Sequence, residues 1–115
     1  MNTNDPIKLS IHSQNEIEFI EIESIVRMEA EGCYTNVFLH NGRKITVSKS
    51  LGEYESILLN AKFVRVHNSH IVNLKHIKKF LKKDGLILQM TDDYMVPIAV
   101  RRKDVFEEKM KMLVI

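Results

Sequence analysis

The sequence predicts a single β-rich domain with one or two short helices, and three observations carry that expectation. Apolar residues alternate with polar ones over short runs; turn compositions separate the runs; and apolar spacing of three and four residues occurs in only two places. A chain of 115 residues is one domain's worth, and its 44% hydrophobic and 28% charged residues lie in the ordinary globular range.

Residues 7–22, "IKLSIHSQNEIEFIEI", hold two such runs around Ser13-Gln14-Asn15 and predict a hairpin. Three more strands follow at Ile25 to Ala30, Cys33 to Leu39 and Lys44 to Ser48. The last two are joined by His40-Asn41-Gly42, where Asn-Gly suits the positive φ values of a type I′ turn. Cys33, at an apolar-flanked strand position, reads as a small buried filler; as the sole cysteine it forms no intrachain disulfide, which fits a reducing compartment. Leu51, Tyr54 and Leu58 then shift to helical spacing, and Ser50 with Glu53 matches a capping box, so Ser50 reads as a helix cap rather than a catalytic serine.

Next comes "FVRVHNSHIVN", Phe63 to Asn73, whose strand formers are interrupted by His-Asn-Ser-His. "NLKHI" predicts a single helical turn. Strands at Lys78 to Lys82 and Leu86 to Met90 flank an Asp84-Gly85 turn, and Tyr94 to Val96 adds a short strand ended by Pro97. From Val100 or Arg101 to Leu113, the residues Val105, Phe106, Met110 and Leu113 recur at helical spacing, so the chain is expected to close with an amphipathic helix.

Several chemistries find no support. The longest unbroken apolar run, Met112 to Ile115, is too short for a membrane span or a signal-peptide core, and the expected location is the cytoplasm. His67 and His70 stand three apart, which on a strand points them to opposite faces, and no cysteine or acid nearby completes a ligand set, so no metal is expected. The four glycines stand singly, which removes a phosphate loop, and no cofactor is expected. No nucleophile, base and orienter come together in the sequence, so the chain reads as non-enzymatic.

Charge is more informative. The net charge of +2 conceals a first segment, residues 1–31, with seven acids against two bases, leaving +7 on the remainder. Residues 60–83 contain seven bases, three histidines and no acid, a block that suggests a polyanion partner. Inside it, Asn68, Ser69 and His70 offer directed hydrogen bonds between two strands, and duplex DNA has matching acceptors on its phosphates and base edges. Composition leaves a plain turn equally open for Asn68 and Ser69, while His67 reads as a satisfied histidine packed under the sheet.

"FVRVHNSHIVNLKHI" resembles the signature of the LytTR domain, the DNA-binding output domain of LytR- and AgrA-type response regulators. "IVRMEAEGCYTNVFLHNGRKITVSKSLGEYESIL" resembles the family's upstream strands and short helix, and "MVPIAVRRKDVFEE" its closing strand with Pro-x-x-x-Arg, so the likeness covers about Ile22 to Lys109. The resemblance implies an elongated arrangement of small antiparallel sheets with one or two short helices, reading DNA with loops. It divides the chain into an acidic N-terminal hairpin or extension, residues 1–21, and a LytTR-like domain, residues 22–115. Carried across, base contacts fall on Asn68, Arg101 and Tyr34, the last in a loop where the family often has a basic or imidazole side chain and this chain has Gly32-Cys33-Tyr34. A half-buried strand tyrosine is the competing reading at that position. Phosphate contacts fall on Lys49, Ser50, Ser69, Lys75, Arg102 and Lys103. The implied partner is double-stranded DNA with paired repeat sites, bound by two copies in weak contact on the DNA. The competing reading is a protein- or RNA-interaction module whose basic hairpin, Lys78 to Lys83, meets an acidic surface.

Overall fold

The computed structural model describes residues 7–58, 61–83 and 85–111. A five-stranded antiparallel sheet forms its middle layer. The strands are β3 (Ile25–Glu31), β4 (Tyr34–Leu39), β5 (Lys44–Val47), β6 (Phe63–His67) and β7 (His70–Asn73), in the spatial order β5-β4-β3-β7-β6. Helix α1 (Leu51–Ile57) connects β5 to β6. The N-terminal hairpin, β1 (Lys8–His12) and β2 (Ile17–Glu21), is a separate two-stranded sheet. A third sheet holds β8 (Ile77–Leu81), β9 (Ile87–Met90) and β10 (Met95–Pro97) in the order β10-β9-β8, and α2 (Lys103–Met110) follows. The molecule measures 45 × 35 × 25 Å.

Both faces of the middle sheet carry an apolar cluster, the second of them over β3, β7 and β6 only. On one, Ile25, Met28, Val37 and Ile71 pack with Leu9, Ile11 and Ile20 of the hairpin, with Leu51 and Tyr54 of α1 and with Leu58 just after it. On the other, Val26, Val64, Val66 and Val72 pack with Leu88, Met90 and Val96 of the third sheet and with Phe106 of α2. Burial on two sides explains why β3 shows a continuous buried run, Ile25 to Met28, instead of alternation. With each fully buried aliphatic side chain contributing about 1.5–3 kcal/mol, the two clusters supply most of the drive to fold.

Local chemistry places most elements where the sequence puts them. Ser50 caps α1, its hydroxyl oxygen accepting from the Glu53 amide at 3.2 Å, while the Glu53 carboxylate turns to the Ser50 hydroxyl at 3.4 Å instead of to its amide. The turn predicted from "NLKHI" is a 3-10 turn, Leu74–His76, whose start is held by Asn73: Oδ1 accepts from the Lys75 amide at 3.0 Å, and buried Nδ2 donates to the Ile25 carbonyl at 2.9 Å.

Four expectations need correction. The β4–β5 turn is not type I′, because Gly42 has φ 90° and Asn41 does not have a positive φ; Leu39 instead bonds to Gly42 and Arg43 across a three-residue loop with a glycine bulge. Cys33 is exposed, since β4 begins one residue later and leaves Cys33 in the turn. Val105 is also exposed: a 3-10 turn, Val100–Arg102, precedes α2, and only Phe106 of its apolar residues is fully buried. His67 is half-buried, and the buried histidine is His70. Asp84 and Leu113 lie outside the described residues.

Candidate nucleic-acid interface

Strand register gathers four connections at one end of the middle sheet. Glu31 pairs with Tyr34 across a two-residue turn in which Gly32 has φ 61°, the first-position glycine of a type II′ turn. The Ala30 amide donates to the Ser69 carbonyl at 2.9 Å, which sets the β6–β7 turn beside it. Thr35 pairs with Val47 and its hydroxyl donates to the Lys49 carbonyl at 2.8 Å, bringing the start of α1 to the same end. On the far side, the Ala99 amide donates to the Val66 carbonyl at 2.8 Å and anchors the Val100–Arg102 turn. Across the sheet the order is Lys49, Tyr34, Asn68 with Ser69, then Arg101.

Asn68 and Arg101, 33 residues apart in sequence, touch. The Arg101 Nη2 donates to Asn68 Oδ1 at 2.5 Å, and both side chains are exposed. With Oδ1 accepting from the guanidinium, Asn68 keeps Nδ2 as a donor beside the remaining Arg101 donors. Next to Arg101, Val100 is 86% exposed, an apolar side chain standing in water at the same end. Tyr34, the first residue of β4, keeps 52% of its surface in water, which leaves it both reachable at this end and half-covered as a strand tyrosine.

The other sequence-derived candidates separate into two groups. Lys49, Ser50 and Ser69 lie at this end, although Ser50 is engaged in capping α1. Arg102 turns toward α1, with Nη1 3.9 Å from Glu55 Oε2, and Lys103 lies 3.8 Å from Glu107. Lys75 sits at the opposite end, in the turn after β7, where its Nζ donates to Glu23 at 2.6 Å. That ion pair shows a limit of counting charge along the chain. Within the acid-free block, Arg65 meets Glu55, Lys75 meets Glu23 and Lys78 meets Asp93, so acids distant in sequence answer several of its cations.

Two residues matter that the sequence reading did not single out, Arg65 and Arg27, and a third, His70, has a setting it did not foresee. Arg65 on β6 donates from Nη2 to the Asn68 carbonyl at 2.6 Å and from Nη1 to Glu55 Oε1 on α1 at 2.9 Å. Its place between Val64 and Val66, on the strand that leads into the polar interruption, was the available signal. His70 lies under the β6–β7 turn, its ring 5.4 Å from His67 and 6.1 Å from Tyr94, with a buried Nδ1 that has no hydrogen-bond partner. Burial pushes its pKa down; Glu29 opposes that, and the charges of His67 and Arg27 add to it. Arg27 is buried between the rings of Phe38 and Tyr94, at 3.7 and 3.8 Å from their centroids, and bonds Asp92 and Glu29 at 2.9 and 3.2 Å. No feature of the linear sequence marks an arginine 65 residues from its acid.

Among the described residues no helix is long and apolar enough to cross a membrane. The chain matches the family model described as the LytTr DNA-binding domain over residues 15–111. It is similar to the heme-containing CO-sensing transcriptional regulator RcoM 1 of Paraburkholderia xenovorans, 28% identical over 83% of this chain and 36% of that protein. It is also similar to the CO-responsive transcriptional regulator RcoM of Rhodospirillum rubrum, 32% identical over 71% of this chain and 36% of that protein. The transcriptional regulatory protein LytR of Staphylococcus aureus is 29% identical over 69% and 32% of the respective chains. The chain thus spans about a third of the length of these relatives. In structure it resembles a LytTr DNA-binding domain from Bacillus cereus with a TM-score of 0.78 at 23% identity, over 91% of this chain and 97% of that one.

Proposed function

This chain belongs to the LytTr DNA-binding domain family, and from that premise we propose that it reads duplex DNA sequence-specifically, using loops at one end of its middle sheet. The contact between Asn68 and Arg101 carries the proposal, because it joins two donor-bearing side chains from separate connections into one exposed unit. An arginine fork matches the O6 and N7 acceptors of guanine, and an outward amide N–H suits a purine N7 or a carbonyl oxygen of a neighbouring base in the major groove. Four interstrand spacings make the loop row about 19 Å wide, enough to cover a major groove about 12 Å wide together with the phosphates beside it.

Lys49 and Ser69 are proposed to bond phosphate, with Tyr34 on sugar, phosphate or a base edge at the middle of the row. Arg102 and Lys103 join them on phosphate only if the backbone competes successfully with Glu55 and Glu107 for their charges. Ser50 offers its hydroxyl from the cap. Lys75 is the weakest of the phosphate candidates, given its remote position. The domain acts without catalysis or cofactor, in the cytoplasm, as the output part of a bacterial transcription regulator of the response-regulator kind. Paired repeat sites occupied by two copies complete the proposal, with the acidic N-terminal hairpin or extension, residues 1–21, turned to a partner.

Fluorescence anisotropy tests it, with a duplex selected from a random pool against this chain and a scrambled duplex, over a salt series. Each phosphate neutralised contributes about −0.9 to the slope of log K against log salt, so five contacts give about −4.5. Asn68→Ala lowers discrimination at one base position by about 1–3 kcal/mol, Lys49→Ala weakens all sequences alike, and Lys75→Ala changes neither. Equal binding to both duplexes, or a flat salt slope, overturns the reading.

A further inference from the structure

Two-residue hairpin loops favour type I′ or II′ turns, whose positive φ values match the twist of the flanking strands. The β6–β7 loop does not comply. His67 pairs with His70 across Asn68 and Ser69, neither residue has a positive φ, and a register shift lies just before it between Arg65 and His67. The turn therefore relies on side chains that bond its main chain. His67 Nδ1 accepts from the Ser69 amide at 3.1 Å, and Arg65 Nη2 donates to the Asn68 carbonyl at 2.6 Å.

Arg65 has a second attachment that His67 lacks. Its Nη1 bonds Glu55 at 2.9 Å, and Glu55 stands on α1, whose buried face is fixed in the core by Leu51 and Tyr54. Arg65 itself is mostly covered, its side chain 19% exposed, so its guanidinium works as an internal strut. We propose that Arg65, braced by Glu55, is a positioning residue that sets the base preference of Asn68 by fixing the backbone from which the amide projects. This rests on the reading of Asn68 as a base contact. A planar guanidinium can bond both partners in fixed directions, whereas a lysine ammonium is a point charge on a flexible stem.

The test compares the wild-type chain, Arg65→Lys, Asn68→Ala and the double variant on the pool-selected duplex and on duplexes changed at single base pairs. Arg65→Lys keeps the charge and loses about tenfold in discrimination at the base pair read by Asn68, with non-specific affinity and salt slope unchanged. Added to Asn68→Ala, the same change produces no further loss at that base pair, because the side chain through which it acts is gone. Circular dichroism melts establish that each variant is folded. If Arg65→Lys retains discrimination while Asn68→Ala loses it, the inference fails and the DNA reading stands. If it instead lowers affinity for all duplexes alike, Arg65 is a phosphate contact and the inference fails too. If Asn68→Ala leaves discrimination intact, the underlying reading of Asn68 is what fails.

Discussion

Replacing Arg27 with methionine removes a cation that links two layers of the molecule. The side chain is only 5% exposed and joins Phe38 of the middle sheet to Tyr94, ahead of β10, while bonding Asp92 and Glu29. Breaking a fully buried ion pair costs about 3–5 kcal/mol, mostly through the charge left behind. Here the acids keep 24% and 31% of their side-chain surface in water, so about 2 kcal/mol is a fairer figure for orphaning them. Loss of two stacked cation–ring contacts adds about 1 kcal/mol, since methionine retains part of the packing. The expected total is about 3 kcal/mol, read as a lowered urea midpoint at unchanged slope, or as a melting temperature lower by about 12 °C. Arg27→Lys recovers little, because an ammonium cannot bond both acids while lying flat against two rings. A loss below about 1 kcal/mol for the methionine variant refutes the account and makes this arginine a surface-like charge under a ring.

Cys33 reacts stoichiometrically with a maleimide in native buffer, and the selected duplex slows that reaction, because the turn carrying it stands in the proposed loop row; unchanged labelling kinetics with DNA bound place the turn outside the interface. Stability falls as pH drops below the ordinary histidine value of 6.5, since the folded state holds His70 neutral while the unfolded chain takes up a proton. The loss continues until the depressed folded value is passed, and urea titrations of His70→Gln across that window show a flatter profile than wild type; parallel profiles exclude His70 as the source.

Much of the fold was legible because its signals are local. Alternation marks the N-terminal hairpin, Ser50 and Glu53 mark α1, and the polar interruption marks the β6–β7 turn. Errors arose where one residue of register decides the outcome. Cys33 sits in the turn because β4 starts at Tyr34, and Asn41-Gly42 closes a three-residue loop rather than a two-residue one. Val105 faces water because it stands about 100° around α2 from Phe106, the residue that reaches the core. In the candidate site, the sequence pointed to Asn68 and Arg101 but not to the arginine that bonds the Asn68 carbonyl. Arg65 finds Glu55 ten residues upstream on α1, and Arg27 finds Asp92 from another sheet, pairings that exist only once the layers are stacked. The same stacking pairs Glu23 with Lys75 and Glu18 with Arg43, so acidic and basic stretches that look like separate patches partly neutralise each other.

Because β3, β7 and β6 carry apolar clusters on both faces, the connections at their ends are the parts of these strands most open to a partner. Residues in the tips of those connections can be exchanged without touching either apolar cluster. On the proposed reading, a lineage of regulators on this scaffold acquires new promoters through substitutions at a few tip positions, while the interior is inherited intact.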